Sequence, residues 1–218
     1  MVYEDFTTYT EVDPNSHLSK TTNHVDHKGY RNEDCYLYKD YGTGHFVTVN
    51  HKIDAKAVSA GSKDYSMSAF WMLSYDTVDD VCGLQTGSKS CFGARLVTDT
   101  SGTKVYFQLF ETYGGSWYTS AVLEVSFNTQ YYCTITKSGT TLTLHVYTDS
   151  ARTQEVSGSP KTLTLHANYN CQYLFAGNVY NYGVDTDNWI DVDIDNLDLQ
   201  KKEWFLSETW QTTIYVWK

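Results

Sequence analysis

Apolar and polar residues alternate with a period of two along most of this chain, and turn chemistry breaks the alternation every ten residues or so. No other feature constrains the fold as much. A period of two sends successive side chains to opposite faces of a strand, whereas a helix needs a period of 3.6. "TTLTLHVYT" (140–148) puts Leu142, Leu144 and Val146 on one face and Thr141, Thr143, His145 and Tyr147 on the other. "QYYCTITK" (130–137) alternates just before it, and Ser138-Gly139 joins the two, which predicts a hairpin. "KTLTLHA" (161–167) repeats the pattern, and "TKVYFQLFE" (103–111) follows a Ser-Gly turn. Further strands are expected over 3–11, 17–26, 33–40, 45–54, 66–75, 92–98, 116–125, 171–177 and 189–199. No long amphipathic helix precedes residue 200. About a dozen short strands in one chain predict an all-β fold, a two-sheet antiparallel jelly-roll sandwich, as a single domain over residues 1–200.

Residues 201–218, "KKEWFLSETWQTTIYVWK", form an aromatic-rich appendage. Leu206, Trp210, Ile214 and Trp217 have helical spacing, yet "TTIYVWK" suits a strand, and both readings stay open. Trp204, Trp210 and Trp217 are costly to leave in water. They are expected either to pack back on the sandwich or to bury against another chain in a homo-oligomer.

A net charge of −10 disfavours a phosphate backbone or an anionic membrane as partner, which leaves a neutral glycan, a protein or a cation-rich ligand. No run of 18 apolar residues is present, so no helical membrane span is expected. "MVYEDFTTYT" lacks the regions of a signal peptide: either the chain is not exported by that route or its sequence starts after such a segment. The five cysteines, an odd number, do not make a complete disulfide framework. Cys82 and Cys91 flank a Gly/Ser-rich loop that a bridge could close, while Cys133 reads as a small buried hydrophobe.

"YYCTITKSGTTLTLHVYTDSARTQEV" (131–156), "TLTLHA", "YLFAGN" (173–178) and "IDNLDLQ" (194–200) resemble the concanavalin A-like lectin/glucanase superfamily. "FTTYTEVDPNS" (6–16) and "RNEDCYLYKD" (31–40) fit the same group, and the similarity is nearest to LamG-like jelly rolls of environmental, phage-type and multidomain bacterial proteins. The resemblance covers residues 3–200 and rests on strand and turn motifs, which specify fold more than function. It implies two curved antiparallel sheets, frequent carbohydrate binding, sometimes polysaccharide cleavage, and often a structural calcium.

"DTDNWIDVDIDNLDLQ" (185–200) holds six aspartates. Glycoside hydrolysis needs two carboxylates flanking the bond. Laminarinase-like enzymes carry Glu-x-Asp-x-Glu on one strand face, and this chain has Asp191, Asp193 and Asp195 at that spacing. Short Asp side chains stand in for both Glu, in what reads as the final strand. The triplet is therefore expected on the solvated face opposite Ile190, Val192 and Ile194, with a bulge near Asn196 turning Leu197 and Leu199 inward. Lyases of this fold use a Tyr/His pair beside Arg and Gln, and no "RSELR"-like or "QIH"-like segment occurs; His145 and His166 read as surface residues. Calcium takes six to eight oxygens, and its best ligands here are Asp185 and Asp187, with Glu11, Asp13 and Asn15 in a second acidic turn that type I turn chemistry also explains. Sugar rings stack on exposed aromatics, and Gly-bearing loops offer them: Tyr113, Trp117 and Tyr118, then Tyr180, Tyr182 and Trp189, with Tyr41 from "YKDYGTGHF" (38–46) in addition. The sequence thus favours a non-enzymatic glycan-binding module acting outside the cell or on a virion surface. The alternatives are a structural fibre or decoration protein, then a polysaccharide lyase or hydrolase.

Overall fold

The alternating segments pair into two antiparallel sheets in the computed structural model, which describes residues 2–63, 65–179, 181 and 186–200. The aromatic tail, with Trp204, Trp210 and Trp217, lies outside the described residues. The strands are β1 (Thr10–Val12), β2 (Leu18–Lys20), β3 (His24–Tyr30), β4 (Cys35–Asp40), β5 (Val49–Ala60), β6 (Met67–Ser74), β7 (Cys91–Thr98), β8 (Val105–Tyr113), β9 (Ser116–Thr119), β10 (Leu123–Val125), β11 (Tyr131–Ser138), β12 (Thr141–Tyr147), β13 (Lys161–Thr164), β14 (Tyr173–Val179) and β15 (Trp189–Asp198). One sheet runs β1-β4-β14-β6-β7-β8-β10, with β9 on the same strand β8. The other runs β13-β12-β11-β5-β15-β3-β2. Hairpin neighbours such as β6-β7-β8 and β11-β12-β13 alternate with long-range pairs such as β4-β14, β14-β6, β5-β15 and β15-β3, as a jelly roll requires.

The inward faces meet in one core. Trp71, Phe92 and Phe107 from the first sheet pack with Ile53, Ile135, Leu144 and Val192 from the second, all of them buried. Each such side chain contributes about 1.5–3 kcal/mol relative to exposure. Phe70 and Trp71 both point inward because β6 shifts register against β7 between Ala69 and Trp71. A second cluster, including Tyr36, Met72, Phe110 and Phe175, lies on the outer face of the first sheet. A short helix, α1 (Val81–Thr86), covers part of it with Val81, Cys82 and Leu84. Asp80 caps α1, accepting the N–H of Cys82 at 2.8 Å and of Gly83 at 2.9 Å.

The hairpin forms as expected, with Ser138 paired to Thr141 and Gly139 at φ +58° in the turn. β15 follows the predicted phase: Ile190, Val192 and Ile194 are fully buried. The expected bulge is present, since Asn196 has φ +55°, the register against β5 shifts between Asp195 and Asp198, and Leu197 and Leu199 are buried.

Other boundaries moved. β5 runs to Ala60 rather than ending near 54, because β15 pairs with it from Ala55 to Ala60, beyond the last partner of β11 at Ala55, and holds the alanine-rich segment extended despite its weak strand preference. The strand expected over 3–11 begins instead with a 3₁₀ turn at Phe6–Thr8, capped by Asp5, and only Thr10 starts β1. The strand expected over 116–125 divides into β9 and β10. The Cys82–Cys91 bridge is not made: all five cysteines are free and buried. Cys133 is a buried hydrophobe, as read.

Candidate functional site: a cleft on the outer sheet face

Alternation along β7 and β8 puts Arg95, Tyr106 and Gln108 on the outer face while Ala94, Leu96, Phe107 and Leu109 enter the core. A cleft of about 630 Å³ opens there, and Tyr65, Trp117 and Asn181 also line it. Arg95 and Gln108 are cross-strand partners. The Arg95 Nε and Nη2 donate to Gln108 Oε1 at 3.2 and 2.7 Å, and Gln108 Nε2 donates to the Ser120 carbonyl at 2.9 Å. These bonds fix the amide orientation. The guanidinium carbon sits 5.2 Å from the Trp117 ring centre and 5.8 Å from that of Phe110. Burial lowers the Arg95 pKa to about 10, which leaves it charged at neutral pH. Among the described residues Arg95 makes no salt bridge. A fixed cation, a half-buried indole and amide groups in one groove suit a polyhydroxylated ligand: the ring for stacking, the polar groups for hydroxyls.

The expected aromatics do not converge on one site. Trp117, on β9, faces this cleft. Its neighbours Tyr113 and Tyr118 alternate to the opposite side, where they flank His166 at 4.6 and 4.1 Å between ring centres. Trp189 lies on the other sheet, with the Lys28 ammonium 4.1 Å above its ring. Tyr180 and Tyr182 lie outside the described residues. Arg95, Gln108 and Tyr106 were not singled out from sequence. The available signal was a charged residue amid the apolar β7 segment "CFGARLV".

The described aspartates of the acidic stretch make contacts within the chain. Asp193 pairs with Lys56, and Asp195 with His24 at 2.7 Å. The face expected to be solvated is in fact half-buried and ion-paired, because cross-strand cations from β3 and β5 meet it. Burial raises the Asp191 pKa. Asp187 accepts from the Ser62 N–H and hydroxyl and from Trp189 Nε1, and these bonds hold its carboxyl below the usual range. Asp185 lies outside the described residues. In the other acidic turn, Asp13 accepts the Leu18 N–H at 2.8 Å and Glu11 pairs with Lys20. Among the described residues no three His, Cys, Asp or Glu side chains gather as a metal site. None of the described helices is long and apolar enough to cross a membrane.

No protein-family model matches the sequence, and no curated protein matches it. Solved structures do. A Saccharomyces cerevisiae protein of unknown function superposes with a TM-score of 0.52 at 9% identity, over 89% of this chain and 98% of that one. An alginate lyase of polysaccharide lyase family 7 superposes at 0.51 and 17% identity, over 86% and 83%. The carbohydrate-binding module CBM66 from Bacillus subtilis superposes at 0.51 and 12% identity, over 89% and 94%. At such identities the likeness is one of fold, and the fold is a jelly-roll sandwich.

Proposed function

We propose that this chain is a carbohydrate-binding module that holds a glycan in the cleft of Arg95, Gln108 and Trp117. The observation that carries the reading is the half-buried Trp117 ring, braced by the Arg95 guanidinium in a groove large enough for sugar residues. The fold shared with a carbohydrate-binding module and with an alginate lyase supports it. Such a module acts where glycans are displayed, outside the cell or on a virion surface.

A lyase reading has one specific observation in its favour: Arg95 and Gln108, residue types that the resemblance implies for lyases of this fold, stand side by side on one sheet face. Against it, the described residues lining the cleft include Tyr65 and Tyr106 but no histidine. One experiment separates the two. An array of neutral and carboxylated oligosaccharides is probed with the wild type, Trp117→Ala and Arg95→Met. Polysaccharide digests are followed in parallel at 235 nm, where the unsaturated product of elimination absorbs. Array binding that both substitutions weaken about tenfold or more, with flat absorbance, fits the module. Rising absorbance that Arg95→Met abolishes assigns a lyase instead. An array without hits refutes the module.

A further inference from the structure

At the opposite end of the first sheet, three connections meet. These are residues 41–48 after β4, 75–80 after β6, and 165–172 before β14. Backbone bonds tie them together: Phe46 N–H to the Cys171 carbonyl at 2.9 Å, and Gln172 N–H to the carbonyls of Ser74 and Tyr75 at 3.2 and 3.1 Å. Between them lies a pocket of about 450 Å³ lined by Thr43, Gly44, Tyr75, Asp76, Asn168, Asn170 and Gln172. β6, with eight residues at about 3.3 Å each, spans roughly 25 Å between this end and the end where the first cleft opens.

Two buried ionic groups fix the 165–172 segment from beneath. Lys137, 1% exposed, donates to the Val47 carbonyl and to Asn168 Oδ1, each at 2.8 Å. Glu111, fully buried, accepts the His166 N–H at 2.9 Å, His166 Nδ1 at 2.8 Å and the Tyr169 hydroxyl at 3.0 Å. Burying ions is costly, and apolar residues of similar volume would hold a loop at least as well. What these two contribute is orientation. Because Asn168 Oδ1 faces Lys137, its Nδ2 donor points away from the core. Tyr75, 47% exposed, packs against Tyr169 at 6.3 Å between ring centres, so its position follows from the Glu111 bond. Gly44, at φ +72° with open space where a Cβ would stand, leaves the backbone approachable.

We infer that this end pocket is a second glycan site, selective for neutral sugars, whose lining is pre-set by Lys137 and Glu111. The chemistry of the lining sets the class. Amides both donate to and accept from hydroxyls, and the Tyr75 face offers a stacking surface. Asp76 in the lining and Asp40, which accepts from Gln172 Nε2 at 3.0 Å, place negative charge where a carboxylated sugar would be repelled. The inference does not depend on the cleft at Arg95.

The test is a titration of isotopically labelled protein with cellohexaose, xylohexaose, mannohexaose and an oligogalacturonate, following the side-chain amide signals of Asn168, Asn170 and Gln172. At least one neutral hexasaccharide should move these signals, and the oligogalacturonate should not. Tyr75→Ala and Asn170→Ala, both at exposed positions, should weaken that binding about tenfold or more. Trp117→Ala should leave it unchanged. Lys137→Met, checked for a retained fold by its spectrum, should weaken it without altering any lining residue. The inference is overturned if no neutral hexasaccharide moves the signals up to about 10 mM, if only the oligogalacturonate does, or if Tyr75→Ala and Asn170→Ala bind like the wild type. A response lost in Trp117→Ala but kept in Tyr75→Ala would support the Arg95 cleft and overturn this site.

Discussion

Replacing Asp80 by Asn should stabilise the protein at neutral pH, although Asp80 is the cap of α1. The Asp80 carboxylate accepts two backbone N–H bonds, which lower its pKa, but burial outweighs them and Asp79 and Asp34 add repulsion. The pKa rises to about 6 from 3.8. A folded pKa above the unfolded one means that the native state binds the proton more tightly. The resulting stability is fully present below about pH 4 and is lost as pH rises through about 6. Two units correspond to about 3 kcal/mol, which solvent screening near the surface halves to about 1.5 kcal/mol. Asn keeps an oxygen for the Cys82 and Gly83 N–H groups and is as good a cap as Asp, but it carries no charge to desolvate. Asp80→Asn should therefore gain about 1 kcal/mol at pH 7.5, a rise of roughly 2–4 °C in melting temperature for a chain of this size. The gain should vanish near pH 4.5, where the wild-type carboxyl is protonated. Asp80→Ala, which loses the cap, should cost about 1 kcal/mol. Calorimetric melting at the two pH values reads all three proteins. If Asp80→Asn is less stable than wild type at pH 7.5, or its advantage is the same at both pH values, the assignment of burial as the dominant cause is wrong.

Other consequences can be checked as directly. Arg152→Met removes the 2.6 Å partner of buried Asp54 and leaves an under-compensated charge, so it should destabilise by about 3 kcal/mol, with Asp54→Asn restoring most of the loss in a urea-melt double-mutant cycle. Thiol titration should find no fast-reacting cysteine in the native protein and five after denaturation, because burial pushes the thiols up, those of Cys82 and Cys91 to about 12. A count of three would reveal the Cys82–Cys91 bridge. EDTA at a few millimolar should leave the melting temperature unchanged, since both oxygens of Asp187 already accept donors from the chain. A fall of several degrees, restored by calcium, would falsify that reading.

Much of the sandwich is legible without coordinates, because strand periodicity is a local property. The phase of Leu142, Leu144 and Val146, and of Ile190, Val192 and Ile194, follows from side chains alternating across a pleated backbone, and so does the need for a bulge at Asn196. Where local propensity is weak, the reading lapses: the alanine-rich end of β5 is a strand because β15 pairs with it, and α1 rests on a cap and an outer-face cluster. The sites belong to tertiary structure more fully. Tyr113, Trp117 and Tyr118 look like one aromatic loop in the sequence, yet alternation and sheet packing separate them, Trp117 into the cleft and the tyrosines around His166. Arg95 meets Gln108 only through the register of β7 and β8, and Lys137 meets Asn168 only where β11 passes beneath the connection between β13 and β14. Period and turn chemistry act over a few residues and so determine strands. Register and sheet order join residues tens of positions apart, and they decide which side chains share a pocket.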